Sequence, residues 1–230
     1  MWATPDIKTI DSAVDFYLDD CLAKGMSPAT IILKRQSLGR FARWSASKSI
    51  REPNQVNIEV MEGFRQYLHH FKKKRDGNPL SINSQLKFLT DLKLFLRRLH
   101  RRHIITRSDF EEFELPKGKK GIPPFVLTHQ EVEKVFLLPL LKGGLIGIRD
   151  RTIMEVFYAT GIRRAELVRL KVRDVDTKER ILVVIHGKGM KSRRVPIARR
   201  ACEWVERYLK EVRPKHLRVD SGEALFLSGS

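Results

Sequence analysis

Arg163, Glu166 and Lys188 are the residues whose types and spacing suit chemistry on a phosphate. Arg163 follows Thr160-Gly161-Ile162, where a helical run breaks and restarts. Free N–H groups and the dipole at a helix start favour an anion. A guanidinium at that place adds planar, paired donors that match phosphate oxygens. Glu166 lies three positions on, on the same helical face, where it can hold the arginine or accept a proton. On spacing alone the pair reads more readily as a surface ion pair, worth on the order of a few tenths of a kcal/mol. Lys188 sits between Gly187 and Gly189 in a turn. Such glycines let a backbone approach a ligand, although a hairpin turn also carries glycine for its conformation alone. From residue 180 to residue 202 there are seven Lys or Arg and no acid. A solvated hairpin mixes signs; a ribbon of one sign suits a nucleic-acid groove.

The elements that must position these residues are legible around them. Thr128-His129-Gln130-Glu131 is a capping box, followed by Val132, Val135 and Phe136 on a helix. Leu141 to Ile148 contains Gly143-Gly144 and is expected to be a loop. Residues 149–160 read as a buried helix through Ile153, Met154, Phe157 and Tyr158. Gly161 breaks it, and Arg163 to Leu170 forms the next helix, with Leu167 and Leu170 inside. Residues 180–186 and 191–197 are rich in Val and Ile and pair as strands across the Gly187–Met190 turn. An amphipathic helix over 199–212 presents Ala201, Trp204, Val205, Tyr208 and Leu209, and Pro214 stops it. Ala224-Leu225-Phe226-Leu227 reads as a last short strand.

The first half of the chain is helical. Ile10, Val14, Tyr17 and Cys21 recur at helical spacing. Ser27-Pro28 starts a second helix, which carries Ile31, Leu38, Phe41 and Trp44 on one face with Lys34, Arg35, Arg40 and Arg43 around it. A third begins near Asn57 and buries Val60 or Met61, Phe64 and Leu68. It runs into Lys72-Lys73-Lys74-Arg75 and the loop signal Asp76-Gly77-Asn78-Pro79. Ser81 caps a fourth, which ends in a cluster holding Arg97, Arg98, Arg101 and Arg102. One charge run is ordinarily a solvated face. Two runs, with a like excess elsewhere, favour phosphate-backbone contact, because each cation that meets a phosphate releases counterions. The expected organisation is a four-helix nucleic-acid-binding domain over 1–108, a basic linker over 109–127 and a mixed α+β domain over 128–230. The fold is mainly α with a small β element.

Composition agrees with this reading. The net charge is +18 and 42% of the 230 residues are hydrophobic, so a core is feasible and a polyanion partner is implied. There are 19 Lys and Arg against 10 Asp and Glu up to residue 105, and 26 against 17 after it, so the basicity is not a tail. Two distant cysteines, Cys21 and Cys202, fit a reducing compartment and offer no metal spacing. No signal pattern or membrane-length apolar run is present, and a cytoplasmic location without a membrane partner is expected. No metal and no cofactor is expected. His100 and His103 lie among arginines, which disfavours a cation there.

Two blocks carry a family resemblance. Ala159-Thr160-Gly161-Ile162-Arg163-Arg164-Ala165-Glu166-Leu167 and His186-Gly187-Lys188-Gly189-Met190-Lys191, with Val195-Pro196, resemble the tyrosine recombinases (phage integrases), especially the Xer-type and integron-type members. Ser27-Pro28-Ala29-Thr30, Arg40-Phe41-Ala42-Arg43-Trp44 and residues 81–99 resemble the SAM-like core-binding domain of that family. The likeness runs from about residue 8 to the last residue.

The resemblance implies two domains that clamp duplex DNA from opposite sides and assemble as homo-oligomers, tetramers when complete. Arg163 matches the first catalytic arginine, which binds the non-bridging oxygens of the scissile phosphate. Glu166 matches its acidic support. Lys188 matches the hairpin lysine that protonates the leaving 5′ oxygen. Lys72, Lys73, Lys74, Arg75, Arg97, Arg98, Arg101, Arg102, Lys191, Arg193 and Arg194 are the expected DNA contacts. A tyrosine then attacks the phosphate, with no metal or nucleotide needed. The family's His-x-x-Arg block and its tyrosine follow the strand expected at 224–227, so the catalytic domain is expected to be incomplete. His216-Leu217-Arg218 is one residue short of that block and precedes the strand. Tyr17, Tyr67, Tyr158 and Tyr208 each fit a buried or half-buried helix face, and none is expected to be the nucleophile. The first expectation is thus a site-specific recombinase or integrase, active in its complete form. The alternative is a non-catalytic DNA-binding protein that occupies recombination sites, and a basic RNA-binding protein is a third reading.

Overall fold

Each of the four N-terminal helices begins where a hydroxyl or amide side chain can cap it. In the computed structural model, which describes residues 7–118, 121, 125–185 and 192–228, the helices are α1 (Ile10–Ala23), α2 (Pro28–Ala46), α3 (Ile58–His70) and α4 (Ile82–Arg101). Thr9, Ser27, Asn57 and Ser81 accept the backbone N–H groups of Ser12, Thr30, Val60 and Ser84, satisfying donors that a helix start otherwise leaves open. Met61 rather than Val60 faces inward on α3. Tyr17, Leu38, Phe41, Phe64 and Phe95 are central to one buried core.

The chain divides into two compact units, residues 1–122 and 123–230. A 3-10 turn, Asp109–Glu111, places Phe110 in the first core, and Phe113 follows it there. Residues 109–113 are therefore packed chain, where a linker from 109 is the expectation. Lys93 fixes them by donating to the carbonyls of Glu111 (2.8 Å) and Phe113 (2.9 Å). Lys34, expected on the rim of α2, is buried. Its ammonium donates to Asp91 Oδ1 (3.1 Å) and Tyr17 Oη (3.2 Å), and a buried cation needs such partners.

The second unit contains α5 (His129–Leu141), α6 (Gly144–Thr160), α7 (Arg164–Val168), β1 (Val175–Asp176), β2 (Ile181–Val184), β3 (Arg193–Pro196), α8 (Arg199–Arg207) and α9 (Arg213–His216). The strands form one antiparallel sheet in the order β1-β2-β3, with Leu182 opposite Val195 and Val184 opposite Arg193. Val156, Leu167, Leu182, Val184 and Val205 share its core. No helix among the described residues is long and apolar enough to cross a membrane.

Four expectations for this unit are corrected. The loop at 141–148 shrinks to Lys142 and Gly143. Gly143 takes φ 71° and ψ −178°, a conformation essentially restricted to glycine, so the chain reverses in two residues. Gly147 then lets α6 close on α5, since a Cβ there would lie 2.4 Å from the Pro139 carbonyl oxygen. On α6 the inward face is Arg151, Thr152, Glu155 and Val156, whereas Ile153, Met154 and Phe157 are half-buried and Tyr158 is 55% exposed. Arg151 donates to Glu155 at 2.6 and 3.1 Å. Arg200 bridges Glu155 (3.0 Å) and Glu133 (2.6 Å). Neutralised in this way, the charges occupy a face that hydropathy assigns to the surface. Pro214 does not end the last helix. A π-helical turn, Tyr208–Val212, precedes α9, and Pro214 lies in the first turn of α9, where its missing N–H is not needed. Residues 224–227 are not a strand. Only Ala224 bridges, to Lys171, while the Leu225 and Leu227 amides donate to the Leu170 carbonyl (2.8 Å) and Tyr208 Oη (3.0 Å).

Substituting Gly147 tests the α5–α6 approach. Gly147→Ala is expected to destabilise the fold by about 1–3 kcal/mol, as overpacking against a backbone does. A urea denaturation midpoint equal to that of the unsubstituted chain would show that α6 stands off from α5.

Candidate functional site

The site begins at the break between α6 and α7. Gly161 adopts the left-handed conformation, φ 60°, and its N–H donates to the Phe157 carbonyl (2.8 Å). This closes α6 and turns the chain so that Arg163, with extended backbone, stands just before α7. Ile162 and Leu167 are buried on either side and anchor the turn.

Glu166 points back at the turn. Its Oε2 accepts the Arg163 N–H (2.8 Å) and its Oε1 accepts Arg163 Nη1 (3.0 Å). The free amide imagined for an anion at this helix start is thus taken by the protein's own carboxylate. What remains open is the Arg163 side chain, 58% exposed. The same carboxylate receives a second arginine, because Arg193 donates Nη1 to Oε1 (2.9 Å) and Nη2 to Oε2 (2.8 Å). Glu166, 6% exposed at its side chain, therefore joins α7 to β3. The Arg193 fork, then the Arg163 amide, hold its carboxyl down from 4.5 to about 2.

Of the residues expected from sequence, the structure brings Arg163 and Glu166 together and adds Arg193. Lys188 and Lys191 lie outside the described residues. Strand alternation could have separated Arg193 from Arg194. Arg193 shares a face with Val195 and stands opposite the buried Val184, whereas Arg194 is on the other face, although both arginines are exposed.

The expected basic clusters of the first unit separate into two kinds. Arg97 makes a fork onto Glu111 (2.6 and 2.5 Å), and Arg98 pairs with Asp20, which also receives Arg102 at 3.5 Å. These arginines tie elements of their own unit, while Arg101 is exposed. Lys72 and Lys74 are exposed, and Asp76 meets Lys73 (3.2 Å) and Arg75 (3.7 Å). Lys73, Lys74 and Arg75 line a cavity of about 550 Å³ with Arg40, Arg43 and Phe71. The Arg40 guanidinium lies 4.2 Å from the Phe71 ring centroid. Sequence reading missed Arg40 and Arg43 as members of this cluster, because helical spacing alone does not show which loop reaches back to α2. A cavity of about 340 Å³ in the second unit is lined by apolar and aromatic side chains such as Leu127, Phe136 and Tyr158, which offer nothing to a phosphate.

The sequence profile of the phage integrase family matches residues 126–229. Tyrosine recombinase XerC 2 of Ralstonia nicotianae is 37% identical over 215 residues, which are 94% of this chain and 61% of that protein. Tyrosine recombinase XerD of Pseudomonas putida is 32% identical over 94% of this chain and 69% of its own length. The chain belongs to the tyrosine recombinase family. It spans about 61% of the length of the Ralstonia relative. The recombinase fold recurs in solved structures. The Tn1549 transposon integrase in complex with circular intermediate DNA has a TM-score of 0.63 at 18% identity, over 94% of this chain and 71% of that one. A lambda integrase tetramer bound to a Holliday junction has a TM-score of 0.65 at 15% identity, over 96% and 60%.

In this family member, Tyr17 and Tyr208 are buried, with Tyr17 Oη accepting from Lys34 and Tyr208 Oη from the Leu227 amide. Tyr67 is half-buried in an aromatic cluster with Trp44 and Phe64. Tyr158, expected to be half-buried at least, is exposed because α6 turns its charged face inward. Among the described residues no group of three or more His, Cys, Asp or Glu is placed to hold a metal ion.

The depressed Glu166 carboxyl gives a pH prediction. Its folded value lies below its ordinary one, so the stability it contributes is complete above pH 4.5 and is lost as pH falls toward about 2. Glu166→Gln should lower stability at neutral pH, and its deficit against the unsubstituted chain should shrink across that window. Paired urea titrations at several pH values check this; a deficit independent of pH would contradict the assignment.

Proposed function

We propose that this chain binds duplex DNA and that Arg163, supported by Glu166, holds a DNA phosphate for site-specific strand exchange. The carrying observation is the exposed Arg163 guanidinium, oriented by a carboxylate that a second arginine already forks. Two guanidinium groups around one carboxylate leave a net positive charge at an exposed place. Positioned cations of this kind stabilise the charge that develops on phosphoryl oxygens during transfer. Lys188, matched to the family's hairpin lysine, supplies the proton for the leaving 5′ oxygen in this reading. The attacking oxygen is that of a tyrosine, and the phosphotyrosyl bond conserves the energy needed to rejoin strands without metal or nucleotide.

The first unit supplies sequence-independent affinity through Lys72, Lys73, Lys74 and Arg75, with Arg101 and Arg102 at the end of α4. Arg194 and Lys191 extend the contact from the second unit. Arg97 and Arg98 act mainly as clamps within their unit, because each is closely engaged by a carboxylate, whereas Arg102 reaches Asp20 only at 3.5 Å and stays exposed. In this proposal the first domain runs past the expected boundary at 108 to include Phe110 and Phe113, the second begins at 128, and assembly is as a homo-oligomer on DNA.

The placement of the four tyrosines supports a second reading, a DNA-binding protein that occupies sites without cleaving them. Tyr17 and Tyr208 use their hydroxyls inside the two cores, and none of the four follows a His-x-x-Arg block. In the first reading none of these four tyrosines is the nucleophile.

Binding to a labelled duplex should weaken steeply with salt. Replacing Lys73, Lys74 and Arg75 with Gln should weaken all duplexes alike and reduce the salt slope by roughly one per contact removed. Salt-independent affinity would contradict the reading. With a suicide substrate, the 230-residue chain should form no covalent adduct, and an adduct would show that one of these tyrosines attacks. In a chain that supplies the nucleophile, Arg163→Ala should lower cleavage roughly 100- to 1000-fold while sparing most affinity.

A further inference from the structure

One carboxylate can fully neutralise only one guanidinium. Glu166 is shared by two, and it divides itself unequally. Arg193 takes the fork, with one nitrogen on each oxygen at 2.9 and 2.8 Å. Among the described residues Arg163 makes one side-chain contact with it, Nη1 to Oε1 at 3.0 Å, while its amide occupies Oε2. The fork is the stronger and more directional mode of pairing. It fixes the plane of the carboxylate, and the strand register fixes Arg193, which stands opposite the buried Val184. Arg163 is the more exposed of the two arginines, 58% against 39%.

We propose that Arg193 is a positioning residue: by holding Glu166 in a fork it keeps the carboxylate from closing on Arg163, so that Arg163 is oriented but remains charged and open to a phosphate. This rests on the reading of Arg163 as a phosphate ligand and adds the element that sets its availability. Without Arg193, the Glu166 side chain is free to rotate into a fork on Arg163 and compete with the incoming anion. A lysine at position 193 restores the charge but cannot make the fork, because an ammonium is a point donor. Geometry, rather than charge alone, is therefore the property at stake.

The test follows the Arg163 side chain directly in the 230-residue chain. With 15N-labelled arginine, the Arg163 Nε–H resonance, assigned by its disappearance in Arg163→Lys, is titrated with inorganic phosphate. Arg193→Gln should raise the apparent dissociation constant at Arg163 roughly tenfold, the scale of one charge-assisted hydrogen bond. Arg193→Lys should weaken it in the same direction. Lys178→Gln, an exposed charge lost from the same unit, should leave it within about twofold, the scale of a surface charge change. Retention of the native far-ultraviolet spectrum and thermal transition identifies variants that still fold. If Arg193→Gln matches Lys178→Gln, or Arg193→Lys matches the unsubstituted chain, the positioning role is wrong even though Arg163 binds phosphate. If Arg163 in the unsubstituted chain does not respond to phosphate, the phosphate reading itself falls, and this role falls with it.

Discussion

A single buried carboxylate between two arginines is the interaction on which the second unit's site depends. Glu166 leaves water because four donors meet its two oxygens. Without them a charge this buried would be strongly unfavourable. The arrangement requires three separate pieces of structure. Gly161 must turn the chain at the end of α6, the short α7 must return Glu166 to the turn, and β3 must present Arg193 on the face it shares with Val195. The hydrophobic residues beside these pieces, Ile162, Leu167 and Val184, are all buried, so the charged cluster is built on a core edge rather than on a mobile surface.

The same unit contains a second shared carboxylate with a different outcome. Glu155 receives Arg151 and Arg200, and Arg200 also reaches Glu133. Here two acids meet two arginines, so charge is balanced. The Arg151 guanidinium is further covered by Phe136 and Trp204, at 4.5 and 5.1 Å. A neutral, covered network joins α5, α6 and α8 and offers nothing to a ligand. The Glu166 cluster differs in having one acid for two arginines and in leaving one of them exposed. That contrast separates a structural ion network from a candidate anion site more sharply than any count of basic residues.

Much of the fold was legible in the sequence because its signals are local. Ser27, Asn57, Ser81 and the Thr128–Glu131 capping box mark helix starts through contacts within three residues. Arg163 and Glu166 were found for the same reason. What stayed hidden depends on partners distant in sequence. Lys34 is inward because Asp91, 57 residues away, meets it. Arg151 and Glu155 take the buried face of α6 because Arg200 arrives on α8. Arg193 was grouped with Arg194 as a DNA contact since both belong to one basic run, although alternate residues of a strand face opposite ways and Arg193 alone meets Glu166. The expected strand at 224–227 failed similarly: its apolar residues are buried, yet their amides are satisfied by a helix-side carbonyl and a tyrosine hydroxyl instead of a ladder.

Charge in the first unit follows the same division between cations that are matched and cations that are left over. Arg97 and Arg98, although they sit in the densest basic run of α4, face Glu111 and Asp20 and lock the helix to its neighbours. Around the cavity at the α3–α4 turn, Asp76 is shared by Lys73 and Arg75, while Arg40 lies over Phe71 and is half-buried. A guanidinium against an aromatic face has lost part of its hydration without gaining a carboxylate, so it gains more from an arriving anion than a fully solvated one does. The net charge of +18 is therefore not spread evenly over the surface in its effect. Among the described residues, Arg163, which shares its carboxylate with Arg193, and Arg40, which lies over Phe71, are incompletely neutralised cations, one in each unit, to which an arriving phosphate would add a partner.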